Sequence, residues 1–414
     1  MSRFGLGDPV DQALISANGM GSLGAGWQDP FHLNLLNPAS LASLQATAFE
    51  GGIYARSSTL QTAEASDRAW GGNLQYLALG FPLRNSINRA LDRQSNIWNA
   101  GMVIALQPYS QVGYDIQLVD TSDPELEVTT NSLKGTGGLY RLKWGTGWRY
   151  KNLSAGVNAG FMFGKLINSR LVEFDSLTSS LSSEFQDDIS IRTLTWDVGL
   201  QYAFEFKKIN NEGEEEYTGK RIVVGVYGSP ATDFRTDASS LTRRYLGSLI
   251  SDTLFNQTSV IGNGRLPQDW TVGLVYQERN RLLLGAEVGM AKWSNYENEA
   301  KPEALEDTWR LAVGAEWTPQ YNSYNNYWKR VRYRFGTRMG SDPRSLNNEQ
   351  VNYWAVTLGA GFPIILPRQQ VSFLNIAFEG GRQGVANVLE ETYYKISFGF
   401  TLNDNSWFFK RKFN

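Results

Sequence analysis

Cysteine is absent from the chain, and histidine occurs once, as His32. Without cysteine there are no thiolate zinc sites, no disulfides and no cysteine nucleophile. A single histidine cannot build a two-histidine metal site, and it leaves one candidate for any Ser-His or Asp-His mechanism. Neither sign of charge dominates: 39 Lys+Arg stand against 41 Asp+Glu, for a net charge of −2. That balance gives no electrostatic reason to expect a nucleic-acid partner. Long apolar runs are missing too. The longest uncharged stretches, Pro30–Phe49 and Val351–Pro367, are broken by Gly, Pro, Asn and Ser, which excludes a transmembrane helix. No secretory leader is visible in Met1–Asp8, so an exported form implies a leader removed ahead of this numbering. The 414 residues have room for two or three ordinary domains. No metal or cofactor is expected.

What is plentiful is glycine (41) and aromatic residues (13 Trp, 19 Tyr, 21 Phe), arranged with a period of two. Leu194, Trp196, Val198, Leu200, Tyr202, Phe204 and Phe206 share one face of a strand. Thr193, Thr195, Asp197, Gly199, Gln201, Ala203 and Glu205 share the other. The pattern recurs over Leu153–Phe163, Trp309–Trp317, Asn352–Phe362, Leu374–Glu379 and Tyr394–Leu402. Strands in a soluble sandwich run to roughly 5–6 residues, whereas about 9–11 with alternating faces and aromatic ends mark a membrane barrel. The predicted fold is therefore all-β, a transmembrane antiparallel β-barrel.

Fourteen strands are predicted, an even number as bacterial single-chain barrels require. They lie near Thr47–Thr62, Trp70–Phe81, Ile97–Ile116, Thr136–Tyr150, Asn152–Leu166, Ile191–Phe206 and Arg221–Ser229, then Leu266–Tyr276, Arg281–Trp293, Thr308–Trp317, Trp328–Met339, Val351–Phe362, Val371–Glu379 and Tyr393–Leu402. Long loops are expected at one end, over Gln117–Gly135, Ile167–Ser190, Pro230–Arg265, Ser294–Asp307, Gly340–Gln350 and Gly380–Thr392. Shorter turns are expected at the other. By the usual asymmetry the long loops are extracellular, and both termini are periplasmic. Trp144, Trp148, Trp270, Trp293, Trp317 and Trp328 suit the interfacial girdles.

A lumen of this size is too wide for barrel side chains alone to fill. Residues 1–44 are predicted to form a hatch that plugs it, because the stretch is too apolar for a comfortable solvated tail. Residues 45–402 form the barrel, and 403–414 a C-terminal periplasmic tail.

The run of small residues in Gly19–Leu44, its Asp-Pro-Phe turn and the motif Asn37-Pro38-Ala39 resemble the hatch of FadL-like (long-chain fatty acid transporter) outer-membrane proteins, most closely those of Bacteroidota. The ends are similar as well: Ser2–Asp8 at the start, and Tyr394–Lys412 with Trp407-Phe408-Phe409 at the close. Internal matches are Gly135–Leu139, Trp293–Tyr296 and Asn326–Gly336, and the likeness covers essentially the whole chain. The resemblance implies a fourteen-stranded outer-membrane barrel with an N-terminal hatch. In transport members, hydrophobic molecules bind in the lumen and leave sideways at a kink in the third strand. Pro108 and Gly113 are the candidate kink, since Pro removes a ladder hydrogen bond and Gly tolerates a bulge. Pro108 at an ordinary strand bend is the other reading.

The lumen is legible independently. Arg330, Arg332, Arg334 and Arg338 alternate with Val331, Tyr333 and Phe335. Facing lipid, each Arg would cost about 2–4 kcal/mol at mid-bilayer, so the ladder points inward. The same alternation sends Asp197, Glu205, Glu287, Glu316, Glu379 and Arg310 inward. Near-equal numbers of acids and bases favour a salt-bridge network over a constriction holding an amphiphile's carboxylate.

The leading functional reading is a passive channel for hydrophobic or amphipathic small molecules. The alternative is a non-catalytic accessory barrel of a larger outer-membrane secretion or barrel-assembly complex. Expected partners are outer-membrane lipid and lipopolysaccharide, a hydrophobic ligand, and other outer-membrane proteins, with no nucleic acid. Arg243-Arg244 is a candidate contact for lipopolysaccharide phosphates, and the acidic run Glu212–Glu216 reads as a solvated turn. Hydrolysis would need a nucleophile and base within about 2.6–3.2 Å, and the single His lies in the hatch, so no enzyme is expected.

Overall fold

The structure, a computed structural model, describes residues 5–63, 65–84, 97–120, 128–174, 180–209, 215–247, 249–279, 281–366 and 370–404. Fourteen antiparallel strands close on themselves. In chain order they are β2 (Thr47–Gln61), β3 (Ser66–Pro82), β4 (Trp98–Asp120), β5 (Thr129–Tyr150), β6 (Leu153–Phe174), β7 (Ser182–Ile209) and β8 (Glu215–Ser229), then β11 (Asp269–Glu278), β12 (Leu282–Ala291), β14 (Thr308–Trp317), β15 (Arg332–Leu346), β16 (Glu349–Leu366), β17 (Gln370–Val385) and β18 (Leu389–Asp404). β18 pairs with β2 from Asp404↔Thr47 to Glu390↔Gln61, which seals the cylinder. Four further strands lie outside this ring: β1 (Asp8–Pro9), β9 (Thr232–Leu246), β10 (Leu249–Leu266) and β13 (Glu297–Asn298).

Each predicted strand finds its counterpart, and alternation explains why. Along β7, Leu194, Trp196, Leu200 and Tyr202 are exposed, while Thr193, Thr195, Asp197 and Gln201 are buried. The apolar face thus lies outside the barrel, as a lipid solvent demands. Trp309 and Trp317, exposed near the two ends of β14, bound this belt, at about 3.3 Å of rise per residue. Trp144, Trp148, Trp270 and Trp328 are also exposed. Trp293 departs from the girdle: it sits in a short 3-10 turn and packs on the buried Tyr296, with ring centroids 5.9 Å apart. β12 has already ended at Ala291, so the indole is no longer bound to the outward face.

The loop lengths are the main correction. At the end opposite Thr47 and Asp404, called here the far end, stretches expected as loops are strand. β5 and β6 stay paired out to Thr129↔Phe174, and β16 and β17 meet regularly from Leu366↔Gln370 up to Asn352↔Gly384. β15 and β16 are joined by Asn347-Asn348, both at positive φ (51° and 65°), the geometry of a two-residue hairpin turn. The largest expected loop, 230–265, is the hairpin β9–β10, whose first strand continues the ladder of β7 from Arg192↔Arg235 to Ser182↔Tyr245. Beyond the bilayer both faces meet water, so the polarity that looked like loop is compatible with paired strand. Arg243 and Arg244 therefore lie on β9, opposite Glu184 and Ser183.

At the terminal end, where β2 begins and β18 finishes, the tight connections include Lys151-Asn152, with Lys151 at φ 52°. Asn403 and Asp404 belong to β18 rather than to a tail, while 405–414 lie outside the described residues. Of the acidic run 212–216, only 215 and 216 are described, at the start of β8.

Candidate functional site: a plugged lumen and an open seam

Residues 10–46 run inside the barrel. Every residue from Ala13 to Asp29 is buried, as are those from Asn37 to Leu44. Little of this segment is regular: one turn of helix, α1 (Ile15–Asn18), and a 3-10 turn, Pro38–Ser43. Its backbone is satisfied by side chains instead. Asn37 Oδ1 accepts from the Ala39 amide at 3.1 Å and starts the 3-10 turn, while Nδ2 donates to the Ala25 carbonyl at 2.8 Å. The Asn37-Pro38-Ala39 motif is in this way an internal clamp of the hatch. Barrel side chains complete the accounting: Glu50 Oε1 accepts from the Leu33 amide at 2.7 Å, and Glu287 Oε2 accepts from Gly24 and Ala25 at 2.8 and 3.0 Å.

Glycines on the inward strand faces make room for the hatch backbone. A Cβ on Gly225 would collide with the Ala25 carbonyl, and Cβ atoms on Gly147 and Gly156 would strike Pro38. Glycine is the residue expected where one backbone approaches another this closely.

Charges tie hatch to wall. Arg338 reaches Asp11 and Glu379, each at 2.6 Å, and Tyr393 donates to the same Glu379 at 2.6 Å. Arg332 meets Asp29 at 2.5 Å and Glu316 at 3.7 Å, and its guanidinium lies 4.6 Å from the Phe373 ring centroid. Arg334, fully buried, bonds Glu316 at 2.7 Å and Asn375 at 2.8 Å. Arg310 pairs with Glu287 at 3.0 Å and donates to the Tyr227 hydroxyl at 2.7 Å. Asp197 stands among Lys143 (3.2 Å), Arg141 (3.5 Å) and Ser229 (2.7 Å). Removing one partner from a buried pair strands the other and costs about 3–5 kcal/mol.

Two of the proposed lumen residues lie apart from this network. Arg330 precedes β15, in a 3-10 turn begun by the Asn326 side chain, and its guanidinium packs over Tyr327. Glu205 follows the inward face of β7 to the terminal end, where it is exposed at the mouth of a cavity. Asp11 and Asp29, whose hatch has no periodicity, join the network without having stood out in the sequence, as do Lys143 and Arg141. The latter pair was recoverable, since they alternate with the exposed Leu142 and Trp144 on β5. His32 is buried, with Nδ1 3.3 Å from Asp29 Oδ1 and its ring 4.6 Å from that of Phe373.

A seam opens between β3 and β4. The two strands pair only from Pro82↔Gly101 to Leu77↔Leu106. Farther out, β4 remains paired with β5 through a bulge between Pro108 and Ser110, while β3 remains paired with β2. The start of the chain lines the gap. β1 joins β4 at Asp8↔Gln111 and Pro9↔Ser110, the Val10 amide donates to the Tyr109 carbonyl at 3.0 Å, and Gln12 donates to the Pro108 carbonyl at 2.9 Å. Pro108 thus borders the irregularity, whereas Gly113 sits in regular register opposite Thr136. The described start of the chain consequently lies in the far half of the barrel, with the Gly5 amide against Glu303, and not at the terminal end as expected. The hatch threads the lumen from there down to Thr47.

At the terminal end, two cavities of about 370 and 200 Å³ open beside the hatch. They share Gln28, Arg149 and Arg221.

A family model described as BamG matches residues 1–414. Among curated proteins, none matches the chain in sequence. Solved structures do match in fold. A FadL homologue of Pseudomonas aeruginosa superposes with a TM-score of 0.57 at 13% identity, covering 95% of this chain and 98% of that one. The toluene transporter TbuX of Ralstonia pickettii gives 0.54 at 14% identity, covering 96% and 98%. The toluene transporter TodX of Pseudomonas putida gives 0.56 at 15% identity, covering 94% and 97%. The fold is that of FadL-type outer-membrane barrels.

Proposed function

This chain belongs to the BamG family, and we propose from that premise that it is a plugged, non-catalytic barrel serving as an accessory subunit of an outer-membrane protein assembly, of the barrel-assembly kind. One observation carries the reading. The lumen is occupied along its length by a hatch held to the wall through Arg338–Asp11, Arg332–Asp29 and the Glu287 cradle of Gly24 and Ala25. Such anchoring suits a rigid scaffold better than a conduit that must let cargo past. The terminal end faces the periplasm in this reading, and the projecting β9–β10 hairpin faces outward, where Arg243 and Arg244 are available to lipopolysaccharide phosphates.

The β3–β4 seam favours a second reading, passage of hydrophobic or amphipathic molecules sideways into the membrane. Two of the solved neighbours are toluene transporters by description. Uptake of an apolar fluorophore into lipid vesicles bearing the purified barrel separates the two. The scaffold reading predicts the rate of protein-free vesicles. Accelerated uptake that stops when the seam is cross-linked shut would establish passage instead.

A further inference from the structure

Cations gather around the two cavities at the terminal end. Lys151 and Arg221 line the larger one, where Glu205 is the lone carboxylate among the described residues. Arg221 and Arg279 line the smaller, which has none among its lining residues.

Arg221 and Arg279 are held in place. Arg221 donates through Nε (3.0 Å) and Nη2 (2.7 Å) to Gln277 Oε1, which fixes the plane of the guanidinium. Arg279 occupies a tight turn at φ 40° and lies over Gly219, where any Cβ would collide with its side chain. Lys151 is the positive-φ residue of the β5–β6 turn. The floor is the hatch, through Gln28 in both cavities and Pro30 and Ser43 in the smaller. A cleft with an excess of one sign of charge between low-dielectric walls concentrates ions of the opposite sign.

We propose that this mouth is a binding site for an acidic, extended peptide segment of a partner protein. The charges are spread along adjoining cavities, Lys151 at one side and Arg279 at the other with Arg221 between. A single small anion would satisfy one of these positions, whereas carboxylates repeated along an extended chain satisfy several. Guanidinium groups suit such carboxylates because they bond them in a fork. The larger cavity, at about 370 Å³, falls within the size of ordinary ligand sites. The site depends on neither the scaffold nor the passage reading, since binding is measured on the isolated barrel.

Fluorescence anisotropy of labelled hexaglutamate, titrated with the purified full chain in neutral detergent at low salt, tests the proposal. The expected result is saturable one-to-one binding that weakens with added salt and is not reproduced by hexalysine. Lys151→Glu with Arg279→Glu should weaken it at least tenfold, and Arg221→Gln, which keeps a polar group beside Gln277, should do so by several fold. Arg243→Glu with Arg244→Glu, at the opposite end, should leave it unchanged. Folding of each variant is read from the heat-dependent shift in gel mobility. Non-saturable binding, or equal loss in the far-end variant, would overturn the site. Displacement by inorganic phosphate at matched anionic charge would overturn the peptide assignment in favour of a small-anion site.

Discussion

Among single residues, Arg338 is where barrel and hatch are most closely joined, since it holds Asp11 on the hatch and Glu379 on the wall at once. Arg338→Ala takes the paired guanidinium from two buried carboxylates and leaves them only the neighbouring Lys395, a loss on the order of 3–5 kcal/mol. The expected outcome is a barrel that still folds but whose N-terminal segment is cut by protease far sooner than in the wild type. Arg330→Ala is the matched control: that side chain packs over Tyr327 outside β15, and its loss should shift stability by less than about 0.5–1 kcal/mol. Similar protease sensitivity in both variants would show that the Arg338 pairs do not anchor the hatch. Gly225→Val tests the same junction sterically, because the added side chain meets the Ala25 carbonyl. Overpacking of this kind costs about 1–3 kcal/mol, and the displaced hatch should become protease-sensitive with the barrel's mobility shift retained.

Individual elements show most clearly what the chain declares about itself. The fourteen transmembrane strands were legible because lipid outside and hatch inside impose opposite demands on alternate residues, as Trp196 and Asp197 on β7 illustrate. The far-end strands were hidden: once β5, β6 and β7 leave the bilayer, residues such as Asn131, Arg170 and Gln186 are polar without alternation. The hatch was recognisable as a plug, yet its anchors were not, because Asp11 and Asp29 gain meaning only across hundreds of residues of sequence. Two-residue β1 carries no signal of its own, although it sits against the Pro108 bulge. It is open to direct test in a chain without cysteine. Asp8→Cys with Gln111→Cys, register partners in the structure, should form a disulfide on mild oxidation in most molecules. Failure to cross-link would mean that the seam is not lined by the start of the chain.

The connection before β14 gives a pH-dependent prediction. Asp307 accepts hydrogen bonds from the Lys292 ammonium and from Ser294, which hold its carboxyl down to about 2 from the ordinary 3.8. A carboxyl depressed on folding stabilises above its unfolded value and loses that contribution as pH falls through the folded one. The 292–307 connection should therefore stay as resistant to an acid-tolerant protease at pH 4 as at pH 7, and weaken as pH approaches 2. Asp307→Asn should remove that dependence.

For the whole molecule, a FadL-type barrel has been combined with a lumen whose charges are largely matched internally. Arg334 between Glu316 and Asn375, and Asp197 between Lys143 and Arg141, spend their polarity on the wall and leave little of it for cargo. What is left for function is the outside: the lipid-facing belt, the far-end hairpin, the seam and the basic mouth. In the proposed reading, a barrel so arranged acts through its surfaces. Native mass spectrometry of the chain, extracted from its own membrane in mild detergent, tests this most directly. The account predicts a stoichiometric complex with other outer-membrane proteins and no small amphiphile retained in the lumen. A solitary barrel carrying a bound amphiphile would contradict it.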